Sequence, residues 1–420
     1  MLQVVDRDHW REIIDTMQSN RLRTFLTACG VFWGVFMLVA MLGFGNGLEA
    51  GVFRSMGGFA TNAVYVWGHR TSKPYKGFQP GRLIHFKTAD IEAIRVGVRD
   101  VQHVCPRNRI GGFRGGTNVT RGDKTGSFTI SGDVPEIIEV QPVDILEGRF
   151  LNPFDEQDRR KIAVIGDSVR DELFVAGESV VGSHIEIRGS HFEVVGLFRP
   201  RQVGDHGDRL SNSVFVPFST FQTAFNWGDE VGWFAVTAQP WASGSEVEAE
   251  VKALLAERYN VAPDDPNGIG SYNAEEDYQK MIALFTGITA LTWFVGLMTL
   301  IAGVIGVSNI MLIAVKERTK EIGVRRAVGA TPASIIGMIV QESIALTSVS
   351  GYGGLVLAVA VLELVGRVVG TDARYFAAPS VDLGVALMAT VVLMVCGGLA
   401  GIMPARTALR INPVEALRAE

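Results

Sequence analysis

Along the chain, polar and apolar positions separate into long uncharged runs near the two ends and a mixed stretch between them. Thr24 to Gly45 carries no charged residue over about 22 positions, enough for a helix to cross a hydrocarbon core of roughly 30 Å. Three further apolar runs, Ile282 to Val315, Ser334 to Val365 and Val381 to Met403, cluster near the other end. The pattern predicts an α-helical membrane protein with four transmembrane helices, one before and three after a large domain. The predicted divisions are 1–23 cytosolic, 24–45 first span, 46–273 external domain, 274–315 stalk and second span, and 316–331 cytosolic segment. Then come 332–366 third span, 367–380 short external loop, 381–403 fourth span and 404–420 cytosolic tail.

Between residues 46 and 273 the periodicity changes. Strand-like runs fall at Ala63 to Trp67, Ser127 to Ile130, His184 to Ile187, Phe192 to Phe198 and Ser213 to Pro217, and helical patterns at Thr88 to Arg95 and Gly244 to Arg258. A strand–helix unit on each side of a strand-rich middle predicts an α+β domain of two lobes. Before the first span, Trp10, Ile13, Ile14 and Met17 recur at helical spacing among polar residues. That predicts an amphipathic helix, lying on the inner membrane surface or packed on a cytosolic partner. The first apolar run is longer than a signal peptide's and follows a long polar segment, so a retained anchor is expected.

Charge sets the orientation. Arg21 and Arg23 abut the first span, Lys316, Arg318, Lys320, Arg325 and Arg326 crowd the loop after the second, and Arg406, Arg410 and Arg418 follow the fourth. The positive-inside rule puts both termini in the cytosol and the large domain outside, in the cell inner membrane. Small residues recur in the spans: Gly30 with Gly34, Gly303 near Gly306, Gly351 with Gly353 and Gly354, and Gly397 with Gly401. They predict close packing of helices within the chain rather than a dimer face. The first two spans hold no ionisable group, which weighs against an ion-coupled secondary transporter. Glu342, beside Gln341 and Ser343 in the third, reads as a structural hydrogen-bonding group near the cytosolic end.

Helix signals add a stalk. Asn273 can cap a helix with Glu276 at the capping-box position, and helical character then continues to Lys316. About 43 residues at 1.5 Å each give roughly 65 Å, twice the hydrocarbon core, so some 30 Å should project with Asn273, Glu276 and Gln279 on it. In the loop that follows, Glu321 and Arg325 are four apart in the favourable order, Gly329 suits a helix C-terminus, and Thr331-Pro332 suits the next helix start. Taken by itself, this charged loop need do no more than fix topology.

Composition removes other classes. The chain is 47% apolar with mean hydropathy +0.23, and 39 basic against 44 acidic residues give a net charge of −5, with no basic footprint for nucleic acid. Cys29, Cys105 and Cys396 are too few for a metal or disulfide framework. His184 and His191 have no accompanying ligand motif, so no metal site is expected. The nearest approach to a phosphate loop, Gly122-Asp123-Lys124-Thr125, reads as a turn. No catalytic or cofactor-binding residue is expected in this chain.

The stretch Lys316 to Ala330, KERTKEIGVRRAVGA, closely resembles the coupling segment of MacB/FtsX-type ABC transporter permeases, and Pro404 to Arg418 looks like that family's terminal signature. Glu147 to Phe150, Ile162 to Gly166, Val180 to Gly182 and Phe192 to Gly196 follow in the order typical of the MacB-type external domain. The resemblance covers nearly the whole chain. It implies that Lys316, Glu317, Arg318, Thr319, Lys320, Glu321, Ile322, Gly323, Arg325, Arg326 and Gly329 dock on a separate ABC ATPase that binds ATP and Mg. It also implies two ATPase copies with two permease subunits, the second identical or paralogous, and an external domain that meets a periplasmic adaptor and outer-membrane channel or the substrate. The implied function is export driven by mechanotransmission from ATP hydrolysis to the external domain. The alternatives are FtsX-like signalling to an extracytoplasmic hydrolase and extraction of lipoproteins.

Overall fold

The computed structural model describes residues 21–56, 58, 60–112, 117–175, 177–369 and 383–409. The predicted amphipathic helix around Trp10, most of the loop at 367–380 and the tail from Arg410 lie outside them. The chain divides into two compact units, Val52–Ala283 and, together, Met1–Gly51 with Leu284–Glu420.

The long helices are α1 (Arg21–Met56), α2 (Ala274–Glu317), α4 (Pro332–Val369) and α5 (Leu383–Leu409), with the short α3 (Thr319–Ala327) between α2 and α4. Three stretches are long and apolar enough to cross a membrane: Ala28–Ser55, Ala274–Glu317 and Pro332–Val368. The last apolar stretch counted among the described residues, Met394–Leu409, is shorter and forms the end of α5, which contains Pro404. Helix α1 runs on through Gly45 and Gly47 to Met56, past the predicted end of the first span.

One apolar core joins these helices. Val31, Val35, Leu38 and Val39 of α1 are buried with Leu300, Val307 and Met311 of α2 and with Ile335, Ile339 and Leu346 of α4. Small residues let the backbones approach, as the glycine spacing predicts. A Cβ placed at Gly401 of α5 would sit 3.0 Å from both Ser343 Oγ and Val340 Cα of α4, and one at Gly30 of α1 would meet Gly303 of α2 at 3.9 Å. Gly306 meets nothing within 4 Å.

The unit Val52–Ala283 is α+β. Its main sheet has 12 strands, and along its path the order is 269–273, 63–68, 233–238, 101–111, 129–133, 213–217, 162–166, 190–200, 184–187, 119–121 and 124–126, with 143–148 beside 190–200. The strand Val101–Gly111 connects two halves. Its residues Val101 to Arg107 pair antiparallel with Trp233–Ala238, and Asn108 to Gly111 pair with Thr129–Gly132. On the first half, helices Ala89–Gly97 and Gly244–Arg258 bury Ile94, Val247, Val251 and Leu255 against Val64, Val66, Val104 and Phe234. On the second, Ile110, Phe128, Ile130, Ile165, Phe192 and Val214 form another core. The structure therefore has its two largest cores on one continuous sheet, with smaller ones around Phe198 and Phe215 and around Cys105 and Ala235, where the sequence pattern predicts two lobes.

A buried ion pair sits where the halves join. Arg107 Nε donates to Asp133 Oδ1 at 2.5 Å, with side-chain exposures of 4% and 0%. The guanidinium lies 5.1 Å from the Trp233 ring centroid and 5.6 Å from that of Phe215, and donates to Gln141 Oε1 at 3.1 Å. Burial pushes the Asp133 carboxyl above its ordinary range, while Arg107 and Arg109 pull it back.

Candidate functional site

The segment after α2 is a built turn. Arg318 leaves helical geometry at φ −96° and ψ 19°, and the Thr319 hydroxyl donates to Lys316 O at 2.7 Å, occupying a carbonyl that the helix end leaves over. Helix α3 closes on Gly329, whose φ of +105° favours a residue without Cβ. Gly329 N donates to Arg326 O at 3.1 Å and Ala330 N to Arg325 O at 3.0 Å, the paired bonds of a Schellman cap. Ser334 N then donates to Thr331 Oγ1 at 3.3 Å, opening α4 at Pro332.

Helical phase divides α3 and its flanks into two faces. Ile322 and Gly323 are buried. Arg318 Nη1 donates to Glu342 Oε2 of α4 at 3.5 Å, and Arg326 Nη1 donates to Leu409 O of α5 at 3.0 Å. Arg325 bridges Glu321, at 2.9 Å, and the Met338 sulfur of α4. Lys316, Glu317, Lys320, Glu321 and Gly329 are exposed, Thr319 is half-buried, and Val324 and Val328 stand out at 45% and 83% exposure. The eleven predicted docking residues thus separate. Arg318, Ile322, Gly323, Arg325 and Arg326 engage this chain's own helices, while an outward face carries lysine and glutamate around two valines that the sequence reading did not single out.

At the other end of α2, Asn273 Oδ1 accepts from Glu275 N at 2.9 Å and from Glu276 N at 3.4 Å, the expected cap. The Glu276 carboxylate lies 3.5 Å from Lys280, and Gln279 is exposed. Helix α2 is unbroken for 44 residues, about 66 Å at 1.5 Å per residue. Elsewhere, Gly122-Asp123 turns the hairpin between Val119–Arg121 and Lys124–Gly126. Strand register sets His184 opposite Glu193 and His191 opposite Glu186. Among the described residues no three metal-ligating side chains gather.

A model of the MacB-like periplasmic core domain matches residues 24–254, more than half of the chain, and one of the FtsX-like permease C-terminal region matches residues 293–413. The chain belongs to the MacB/FtsX permease family. Relatives in that family include the pyoverdine export ATP-binding/permease protein PvdT of Pseudomonas entomophila, 30% identical over 98% of this chain and 61% of its own length. Another is the macrolide export ATP-binding/permease protein MacB of Bdellovibrio bacteriovorus, 26% identical over 98% of this chain and 62% of its own length. The chain thus spans about three fifths of the curated relatives it matches. The solved periplasmic region of MacB from Actinobacillus actinomycetemcomitans is similar at 16% identity and a TM-score of 0.43, covering 55% of this chain and 97% of that one. In family terms, α3 lies within the stretch matched by the FtsX-like permease model, and the α+β unit up to residue 254 lies within the stretch matched by the MacB-like core model.

Proposed function

We propose that this chain is the membrane subunit of an ABC exporter, with four spanning helices, both termini cytosolic and the α+β unit outside. Its outward α3 face receives a separate ATPase that binds ATP and Mg, and two such pairs assemble because four helices cannot enclose a wide path. ATP-driven displacement of α3 passes along α2 to the external domain, whose two cores act as lobes toward substrate or an adaptor. The observation that carries this reading is the exposed Val328 at the tip of a capped cytosolic helix, beside Val324 and Lys320. A mere topology signal needs positive charge but no apolar projection, whereas a docking knob needs a side chain that a partner can bury. The names of the relatives support export as the output. Glu342, the carboxylate an ion-coupled transporter would use, is engaged by Arg318.

Two substitutions test the reading. Lys320→Glu with Val328→Asp should leave insertion intact and reduce co-purification of the ATPase at least tenfold, because a charge then sits where an apolar contact forms. Undiminished co-purification would overturn the docking face. Gln279→Pro should kink α2, costing about 3 kcal/mol or more locally. Export should fail while ATP hydrolysis continues, with Gln279→Ala as control. Full export by the proline variant would sink the mechanical reading.

A further inference from the structure

Glu342 is a carboxylate about 15 Å along α4 from Pro332, ten residues at 1.5 Å each. It is 7% exposed. An ionised carboxylate at such a place needs a cation, and few side chains reach that far from a helix end. Arg318 does so from the break between α2 and α3. Arg318 and Glu342 line a small cavity of about 10 Å³ together with Met311, Val315, Ile322, Met338 and Ile339. The pair stands at 3.5 Å, at the long limit for a hydrogen bond, with 24% of the arginine side chain exposed. The cavity is at the lower limit of the space of one water, so a retreat of the partly exposed guanidinium leaves room for a water between it and the carboxylate.

We propose that Arg318 and Glu342 form a latch that sets the angle of α3 against α4. This rests on the coupling reading above and assigns it a mechanical contact. Arg318 acts as a positioning residue: its backbone is the joint between α2 and α3, and its side chain fastens that joint to α4. Displacement of α3 exchanges the close and water-separated forms of the Arg318 contact, so α2 and α4 move together. An apolar pair of similar volume would hold the helices by packing alone and have only one arrangement.

Amide hydrogen exchange on the purified full chain, without any ATPase, tests the contact. Glu342→Ala should raise exchange across Thr319–Ala327 at least tenfold and leave Ala63–Gly68 unchanged; unaltered exchange in α3 would overturn the latch. If Glu342→Ala does not accumulate in membranes, Glu342→Gln takes its place with about a threefold rise expected from the lost charge, and no rise has the same meaning. The second arm uses Arg318→Met with Glu342→Leu in cells. This double variant should restore exchange protection and still co-purify with the ATPase, yet lose export at least tenfold; full export would show that the pair only packs. Should Lys320→Glu with Val328→Asp bind the ATPase normally, the coupling reading falls, and the exchange arm alone decides the contact.

Discussion

Two arginine–carboxylate pairs, one in each unit, use the same chemistry to different ends. Arg107–Asp133 is short, almost wholly buried and held between aromatic rings. Neither partner can leave without stranding a charge in an apolar core. Arg318–Glu342 is an ångström longer, partly wetted at the arginine and next to a cavity. Desolvating both ions is costly, and only close geometry offsets that cost. A close pair with no space around it is a fixed part of the fold even where, as at Asp133, burial outweighs its partner's pull, and a longer pair beside a cavity stays adjustable. Closeness and burial, more than residue type, decide which.

The largest expected effect is at the fixed pair. Arg107→Met should destabilise the purified chain by about 3–5 kcal/mol in denaturant unfolding, and adding Asp133→Leu should recover most of it. A single variant within about 1 kcal/mol of wild type would break the contrast. A third buried carboxylate, Asp265, separates hydrogen bonding from ion pairing. Burial at 9% exposure works against its charge. Bonds from Ser72 Oγ and from the amides of Asn267, Ser72 and Lys73 outweigh that and hold it at about 2. Since this folded value lies below the ordinary 3.8, its stabilisation is present above that pH and is lost as pH falls through about 2. Asp265→Asn should therefore flatten the acid limb of a stability–pH curve; an unchanged limb would show the amides contribute nothing. Glu342→Gln should cost only about 1 kcal/mol, well below Asp133→Asn, and equal losses at the two sites would make both pairs fixed. The smallest perturbation tests the sidedness of the domain holding the fixed pair. An impermeant maleimide on spheroplasts should label Val96→Cys, where the native side chain is 76% exposed. Cys105, fully buried with its thiol pushed up by burial, should stay unlabelled. No label at position 96 would put the domain inside.

The sequence pattern foretold Ala63–Gly68, His184–Ile187, Ser213–Pro217 and the helix Gly244–Arg258 closely, because each is a β-branched or helical run bounded by turn residues. It missed Val101–Gly111, one of the longest strands and the one that joins the halves. The centre of that strand reads Cys-Pro-Arg-Asn. Proline argues against an interior strand and arginine against burial, yet Val104 to Asn108 are all buried because both faces are covered there, so burial shows no period of two although the side chains still alternate. In the segment after α2, charge and capping residues made the short helix legible. Which way its arginines turn was not, since Arg325 and Arg326 face Met338 and Leu409, neighbours supplied only by tertiary packing. Val324 and Val328 carried a weak signal: apolar residues four apart, out of phase with buried Ile322.

Alternation gives the strand Val101–Gly111 a reading frame. Val104 belongs to one core and Ile110 to the other, an even number of residues apart on the same face. Deleting or inserting a single residue between them would leave one core in phase and turn the other inside out. Loops such as the turn at Gly122-Asp123 are free to lengthen over evolutionary time, but this strand cannot change its count by one. It serves the domain as a ruler, and the lineage can alter it only in steps of two.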